Sequence, residues 1–441
     1  MSRAQLHGHG PFRGWIVTWA AFTCLTVIFG ASYSFAAFFK PWAHEFSATR
    51  AEISWVFGLS SLLYFMLGAV AGALADRFGP RAIGVVGVLI LTGGLVASSR
   101  ADDLLGVYLG YGLGTGLGVA LVYLPAMGAV QPWFVKHRGL ASGIASAGIG
   151  AGTLVVPILT TWLIDAHGWR AGLQLMAAGA LLIGIAAAWL LERDPAARGW
   201  QADGVPLPHT PAQAAGPASE AEALAEPMRE NALPDMNLRS AASSISFRWL
   251  YGAVMACSIS MFVPVAHLSA AARDQGIADT PAVALVSLIG IGSLLGRFFT
   301  GAMADRLGRL RTHVLMQAAL GASFLLWALA GGYPTLVAFA LLFGLTYGGL
   351  VAILPPICTD LFGLRAVSAI IGLLYSGTGI GALIGPVASG ALFDHFHHYG
   401  ATIALCLLSS AVATACAWQL VRHAEHRTGG RKWESNPPGI D

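Results

Sequence analysis

The sequence predicts an all-α integral membrane protein in which twelve transmembrane helices form two pseudo-symmetric six-helix bundles. The composition, the spacing of the charged residues and an internal duplication lead to this fold class. Only 11% of the 441 residues are charged and 56% are hydrophobic, whereas about a quarter of the residues in a soluble domain are charged. The composition therefore excludes a soluble enzyme and a disordered chain. The net charge of +3 gives no reason to expect nucleic acid as a partner.

Long apolar stretches lie between the charged residues, and the length of each is close to the about 20 residues that a transmembrane helix needs. They predict helices at 14–39, 51–75, 82–99, 104–131, 139–164, 169–191, 248–271, 281–304, 312–331, 334–359, 366–392 and 400–421. The segment 192–246 interrupts the pattern, with seven prolines and eight acidic residues against four arginines. Because such a segment cannot bury a core, we predict a flexible cytoplasmic linker there, between an N-terminal bundle at 1–191 and a C-terminal bundle at 247–441.

The lysines and arginines predict the orientation, because these residues collect on the cytoplasmic side of a membrane protein. Of the 25 in this chain, 19 lie at the termini and in the loops after even-numbered helices, and five lie in the loops after odd-numbered helices. The remaining one, Arg297, falls inside a predicted helix. Both termini are therefore predicted to be cytoplasmic, and the cell inner (plasma) membrane is the predicted location.

The two halves of the chain are copies of one unit. Residues 72–79 (GALADRFG) recur as residues 301–308 (GAMADRLG), with an offset of 229 and six of eight positions identical. The same offset pairs Gly143 with Gly372 and Pro157 with Pro386. One offset shared by segments of two different helices predicts a duplicated six-helix unit with parallel repeats.

Two six-helix halves with a cytoplasmic linker, and the motif G-x-L-A-D-R-x-G after the second helix, resemble the major facilitator superfamily over the whole chain. The resemblance implies that this loop latches the two halves in one gating state. It assigns a gating role to Asp76, Arg77, Asp305 and Arg306.

A second segment is similar to the monocarboxylate transporters. Residues 133–148 (WFVKHRGLASGIASAG) match their fifth-helix signature, a Tyr-Phe-x-Lys, two basic residues and x-Leu-Ala-x-Gly-x-Ala-x-Ala-Gly, apart from Trp133 and His137. The first-helix signature is half present, because Arg13 stands where an acidic residue is usual. The chain thus resembles a bacterial relative near the branch that contains the oxalate:formate exchangers.

Arg297 is the strongest candidate for substrate binding. It lies eight residues before Asp305, or about 12 Å into the bilayer at 1.5 Å per residue. A cation at this depth is costly unless it faces a polar cavity or a counter-ion, and no acidic residue lies near the middle of a predicted helix. A small carboxylate would satisfy the guanidinium through two hydrogen bonds. The resemblance agrees, because the family carries its carboxylate-binding arginine in this segment.

The family pattern is not complete in this chain. Ser293 stands where many animal members have an aspartate, and Tyr33 stands where they have a lysine. Thr378 occupies the position of the second cation of the oxalate exchangers. One buried cation instead of two favours a monoanion as substrate.

His267 is the candidate for proton coupling and for a further substrate contact. It follows Pro264 near the outer end of the seventh helix, and an ordinary histidine pKa near 6.5 allows it to change charge in the physiological range. Bacterial relatives have a similar Pro-x-x-His segment. The other histidines, including His313, His137 and those at 395–398, are predicted in loops or at helix ends, with no spacing that indicates a metal site.

Aromatic residues complete the predicted site. Tyr33, Tyr123 and Tyr347 lie deep enough in the membrane to need hydrogen-bond partners, and Phe343 lies one turn from Tyr347 as an apolar wall. The five cysteines all fall within predicted helices and are expected to be free thiols.

The resemblance and the buried arginine together predict a monomeric secondary transporter of small monocarboxylates such as lactate or pyruvate. Transport by alternating access with a proton is expected, without a cofactor or a metal. Two alternatives stay open: an organic-anion exchanger of the oxalate:formate type, and a non-transporting anion sensor that signals through residues 192–246. No activated nucleophile or pair of carboxylates indicates an enzyme.

Overall fold

The computed structural model describes residues 12–135, 137–205, 236–363 and 366–427, and these residues form twelve long helices. The first half contains α1 (Gly14–Glu45), α2 (Arg50–Phe78), α3 (Pro80–Ser99) and α4 (Leu104–Trp133). Helices α5 and α6 are the two parts of one continuous segment, Arg138–Trp189, which Gly168 divides with a φ of 80°.

The second half repeats this order. It contains α7 (Ile245–Asp274), α8 (Asp279–Leu307), α9 (Arg309–Ala328), α10 (Tyr333–Phe362), α11 (Val367–Phe396) and α12 (Gly400–Arg427). The twelve-helix fold predicted from the sequence is confirmed, and the helix bounds differ from the predicted ones by several residues.

The duplicated motif makes the same turn in both halves. Helix α2 ends at Gly79, with a φ of 86°, and α8 ends at Gly308, with a φ of 82°. A residue with a side chain is strained in this left-handed region, so glycine is required at both turns. Each glycine allows the chain to reverse directly into the next helix, which begins at Pro80 in the first half and at Arg309 in the second.

Ten helical segments of the described chain are long and apolar enough to cross a membrane. The segment from Leu140 to Trp189 counts once although it holds both α5 and α6. Helix α9 is not among the ten, and it begins with Arg309, Arg311 and His313. We call the end of the bundle that carries Gly14 and Phe78 the inner end, and the end that carries Glu45 and Arg50 the outer end.

The first residues of the predicted linker pack against the inner end. The indole of Trp133 donates a hydrogen bond of 2.7 Å to the carbonyl of Glu192, and Trp200 makes an edge contact with Phe12. Burial raises the pKa of the Glu192 carboxyl, but a hydrogen bond from Arg198 and the charges of nearby arginines outweigh it, so the pKa lies below its ordinary value. Residues 206–235 of the predicted linker lie outside the described residues.

The two halves meet along α2 with α11 and α5 with α8, and polar contacts join them at the outer end. Lys40 lies 2.9 Å from Asp279, and Arg50 lies 2.6 Å from Asp274. The carboxylate of Asp394 accepts hydrogen bonds from the first backbone N–H groups of α2, those of Arg50 and Ala51, at 3.0 and 2.9 Å. We call this group of contacts the outer lock.

Ion pairs at the inner end have a different arrangement. The pairs between described side chains there do not join one half to the other. Those of the first half involve the start of the predicted linker: Arg13, Arg81 and Arg198 with Glu192, and Arg193 with Asp76. Those of the second half are Arg309 with Asp360 and Arg311 with Glu425. The described ion pairs therefore hold the halves to each other at the outer end and leave each half separate at the inner end.

Candidate functional site

A cavity of about 70 Å³ lies between the two halves, near the middle of the helices. Phe29, Tyr33 and Tyr123 line it from the first half, and residues of α7 to α11 line it from the second. Its described lining contains one charged side chain that is always ionised, Arg297, and no aspartate or glutamate. The structure thus places the predicted residues Arg297, Tyr33, Tyr123, Tyr347 and Thr378 around one space.

Arg297 brings two guanidinium nitrogens to the cavity that no described residue pairs with. Its Nε and Nη2 atoms are buried and have no hydrogen-bond partner among the described residues. Buried polar groups are nearly always paired, and a buried cation is more costly than a neutral group. The guanidinium therefore presents unused donors and a positive charge to whatever occupies the cavity.

Close packing of α8 on α10 fixes the position of this arginine. A Cβ atom on Gly292 or Gly296 of α8 would collide with the backbone of α10, and one on Gly344 or Gly348 of α10 would collide with the backbone of α8. Small residues at this four-residue spacing let helix backbones approach closely. Arg297 directly follows one of these glycines and Tyr347 directly precedes another, so the contact sets both side chains at the cavity.

Four tyrosine hydroxyls surround the charge of Arg297. The hydroxyls of Tyr33 and Tyr347 lie 3.0 Å apart and join α1 to α10 across the two halves. Tyr123 of the first half and Tyr375 of the second half line the same cavity. All four tyrosines line the same cavity as Arg297. Each hydroxyl can donate or accept a hydrogen bond. The cavity therefore offers either kind of hydrogen-bond partner to a ligand, together with the permanent positive charge of Arg297.

Phe343 lies behind the cavity instead of lining it. Its side chain is fully buried, and its ring stacks with that of Tyr347 at 6.3 Å and an interplanar angle of 2°. The predicted role of an apolar wall is thus taken by Tyr347 itself, with Phe343 supporting it from the far side. Thr378 also lines the cavity. It supplies a neutral hydroxyl at the position where the oxalate exchangers have a second cation.

Comparisons with known proteins show the family of this chain. The family profile of the Major Facilitator Superfamily matches residues 21–244 and 248–438. The chain is 30% identical over 415 residues to monocarboxylate transporter 3 of Rattus norvegicus, covering 91% of this chain and 80% of that protein. It is 27% identical to monocarboxylate transporter 13 of Bos taurus, over 88% of this chain and 85% of that protein. This chain belongs to the major facilitator superfamily, as a monocarboxylate transporter-like member.

A solved structure of peptide transporter POT in complex with sulfate has the same fold. Its TM-score is 0.69 at 17% sequence identity, over 97% of this chain and 98% of that chain. At this identity the likeness shows the fold alone. The predicted major facilitator fold is confirmed, and the relatives identify a membrane transporter and not an enzyme.

The superfamily's gating motif lies at the inner end in both halves. Asp76 pairs with Arg193, which follows α6, while the guanidinium of Arg77 lies 5.2 Å above the ring of Phe78. Arg306 is exposed to solvent. The side chain of Asp305 lies outside the described part of the structure. The gating role of these four residues stays a prediction of the family resemblance.

His267 is not at the cavity of this monocarboxylate transporter-like chain. It is fully buried in the outer lock, where its Nε2 lies 2.8 Å from the carbonyl of Pro386 and 3.0 Å from the hydroxyl of Ser54. Its Nδ1 lies 3.2 Å from the hydroxyl of Tyr399, which accepts a hydrogen bond of 2.6 Å from Arg50. The structure therefore separates His267 from Arg297 and gives it partners in both halves.

Tyr375, His313 and Gln317 are among the lining residues that the sequence did not indicate. His313 was expected in a loop or at a helix end. It lies instead in the second turn of α9, which begins at Arg309, and it is 3% exposed. Charged residues just before it moved the predicted start of this helix to residue 312. Its spacing of four residues from Gln317 was the available signal, because such residues share a helix face.

Proposed function

We propose that this transporter carries a small monocarboxylate, such as lactate or pyruvate, with the carboxylate bound by Arg297. Two guanidinium nitrogens without a partner among the described residues, in a cavity whose described lining is free of acidic side chains, carry this proposal. A planar guanidinium matches a carboxylate through two parallel hydrogen bonds. The names of the relatives support the same substrate class.

The charge of the cavity favours a monoanion over a dianion. One arginine neutralises one carboxylate, and the position of a second cation in the oxalate exchangers is held here by the neutral Thr378. A second carboxylate would be left in the membrane without a counter-ion, which is costly.

Alternating access accounts for the arrangement of the ion pairs. Lys40–Asp279 and Arg50–Asp274 join the halves at the outer end, whereas the described inner-end pairs stay within one half. This is the pattern of a carrier closed to the outside. Breaking the outer lock and rocking the halves around Arg297 would expose the same site to the other side. With both termini in the cytoplasm of a monomer in the cell inner (plasma) membrane, the outer lock would face away from the cytoplasm.

A proton could act on the outer lock through His267. A chain of hydrogen bonds runs from Arg50 to the oxygen of Tyr399, from the Tyr399 hydroxyl to Nδ1 of His267, and from Nε2 of His267 to the carbonyl of Pro386. This assignment requires Nδ1 to be an acceptor, so it requires a neutral ring. A proton on Nδ1 would end the donation from Tyr399 to that nitrogen and place a second positive charge near Arg50, which would weaken the lock.

The direct test is uptake of labelled L-lactate into liposomes that contain the purified full-length chain. When the outside is one pH unit more acidic than the inside and one proton moves with each anion, lactate is expected to accumulate inside about tenfold. Liposomes without protein measure the background accumulation that passive entry of the neutral acid causes. Uptake that requires an anion preloaded inside would indicate an exchanger instead, and binding without uptake would indicate a sensor.

Replacing His267 with glutamine is expected to uncouple transport from the proton. Glutamine keeps one donor and one acceptor but does not change charge. Accumulation in response to the pH gradient should fall to the level of empty liposomes, while exchange of lactate at equal pH continues. His44→Gln is the matched control, since His44 is exposed at the same end. An unchanged response to the gradient in His267→Gln would contradict this role.

A further inference from the structure

Two polar side chains of the cavity have no role in the proposal above. His313 and Gln317, one turn apart on α9, are 3% and 1% exposed and both line the cavity. Neither ring nitrogen of His313 has a hydrogen-bond partner among the described residues, and the Oε1 atom of Gln317 has none there either.

This pair needs partners that the described part of the protein does not supply. A neutral imidazole offers one donor and one acceptor, and an amide oxygen is an acceptor. Buried groups of this kind are unfavourable unless something pairs with them. Since both residues face the cavity, its occupant is the available partner.

The pair lies on the same side of the cavity as Arg297. Thr300, one turn after Arg297 on α8, lies 3.8 Å from the sulfur of Met316 on α9, between His313 and Gln317 in the chain. The cavity that all three residues line has a volume of only about 70 Å³. A small molecule whose carboxylate lies on Arg297 therefore shares one small cavity with the α9 pair.

The duplication shows that these polar groups do not belong to the framework that the two halves share. At the offset of 229 residues, Arg297 corresponds to Gly68, His313 to Gly84 and Gln317 to Val88. In the first half all three positions are small or apolar. The cation and both neutral polar groups at the cavity are therefore specific to the second half, which is expected if one ligand contacts all three.

We propose that His313 and Gln317 bind the hydroxyl group of a 2-hydroxy monocarboxylate whose carboxylate is on Arg297. The hydroxyl donates to the amide oxygen of Gln317 and accepts the ring N–H of His313. A short acid with no polar group at that position, such as propionate, leaves both groups unpaired, and the site therefore selects against it. This inference rests on the proposed function and deepens it from monocarboxylates in general to hydroxy acids.

The test compares initial uptake of L-lactate and propionate into liposomes that contain the full-length chain, at pH 7 and equal concentration. Wild type is expected to prefer lactate about tenfold, the effect of one to two hydrogen bonds. In His313→Leu and in Gln317→Leu the preference should fall toward one, because lactate uptake falls while propionate uptake stays. Thr312→Val is the matched control: Thr312 is also buried with an unpartnered hydroxyl, but it does not line the cavity.

Retained propionate uptake shows in the same measurement that a variant is folded and inserted. The inference is overturned if wild type takes up both acids equally, or if both variants lose both acids by the same factor, which would indicate a structural role. It is also overturned if both variants keep the full preference for lactate. Failure of the proposed function has a different signature, because then neither acid enters wild-type liposomes faster than empty ones.

Discussion

Arg297→Ala is expected to lower the initial uptake of L-lactate about 100-fold, the effect of removing the partner of a buried charge at about 3 kcal/mol. The guanidinium is the one group in the described cavity lining that carries a permanent positive charge. Without it, a carboxylate would enter the membrane with only neutral hydroxyls around it. The measurement is uptake into liposomes with equal amounts of wild type and variant.

A lysine at the same position separates charge from shape. Arg297→Lys keeps a positive charge but loses the planar fork that holds both carboxylate oxygens, and we expect uptake about tenfold below wild type, between the two extremes. Arg100→Ala is the matched control, because Arg100 is exposed in the loop after α3. Full uptake in Arg297→Ala would remove the central claim about substrate binding.

Thermal stability distinguishes a binding arginine from a structural one. In the structure two of the guanidinium nitrogens are buried without a partner among the described residues. Removing an unpaired cation from the membrane interior relieves a cost of a few kcal/mol. Arg297→Ala should therefore melt at or above the temperature of the wild type without substrate, and lactate should no longer raise that temperature. A structural arginine would give the opposite result, a lower melting temperature.

The sequence was sufficient to place Arg297 at a cavity, because its depth in the membrane restricts the surroundings that an arginine can have. A cation inside an apolar helix is costly unless it faces a polar cavity or a counter-ion. The structure places Arg297 at a cavity. Depth also located Tyr33, Tyr123 and Tyr347. The duplication determined the arrangement of the halves, since the same motif ends α2 at Gly79 and α8 at Gly308.

Direction around a helix is what the sequence could not provide. His267 and Arg297 lie at comparable distances from helix ends, yet His267 points into the outer lock. Its partners Ser54, Pro386 and Tyr399 are far apart in the chain, and no local pattern pairs them. His313 was hidden for a different reason, since the arginines before it made the start of α9 look like a loop.

Gly390→Leu is expected to abolish transport by holding the outer end open. A Cβ atom on Gly390 of α11 would lie 2.6 Å from the Cα and N atoms of Ala51 and 2.7 Å from the carbonyl carbon of Arg50. These are backbone atoms at the start of α2, so no side-chain rotation relieves the collision. The two helices must separate, and with them Asp394, one turn further along α11, leaves the N–H groups that it caps.

The size of the effect follows from the kind of contact. Adding a side chain to a filled contact costs about 1–3 kcal/mol when side chains adjust, and here a backbone has to move. A penalty of about 3 kcal/mol on the state closed at the outer end lowers its population about 100-fold. Initial uptake should fall by the same factor, because every transport cycle passes through that state. Gly179→Leu is the matched control, since a Cβ atom on Gly179 meets nothing within 4 Å.

Accessibility of the outer end shows whether the loss has this cause. Ser54 is fully buried in the outer lock, and a cysteine introduced there reports its opening to a membrane-impermeant maleimide. We expect Ser54→Cys to react slowly alone and quickly when combined with Gly390→Leu. The variant should also keep lactate binding, seen as a rise in melting temperature, because Arg297 and the cavity lie far along the helices from residue 390. The prediction is contradicted if Gly390→Leu takes up lactate at the wild-type rate. It is also contradicted if the cysteine of Ser54→Cys stays unreactive when combined with Gly390→Leu.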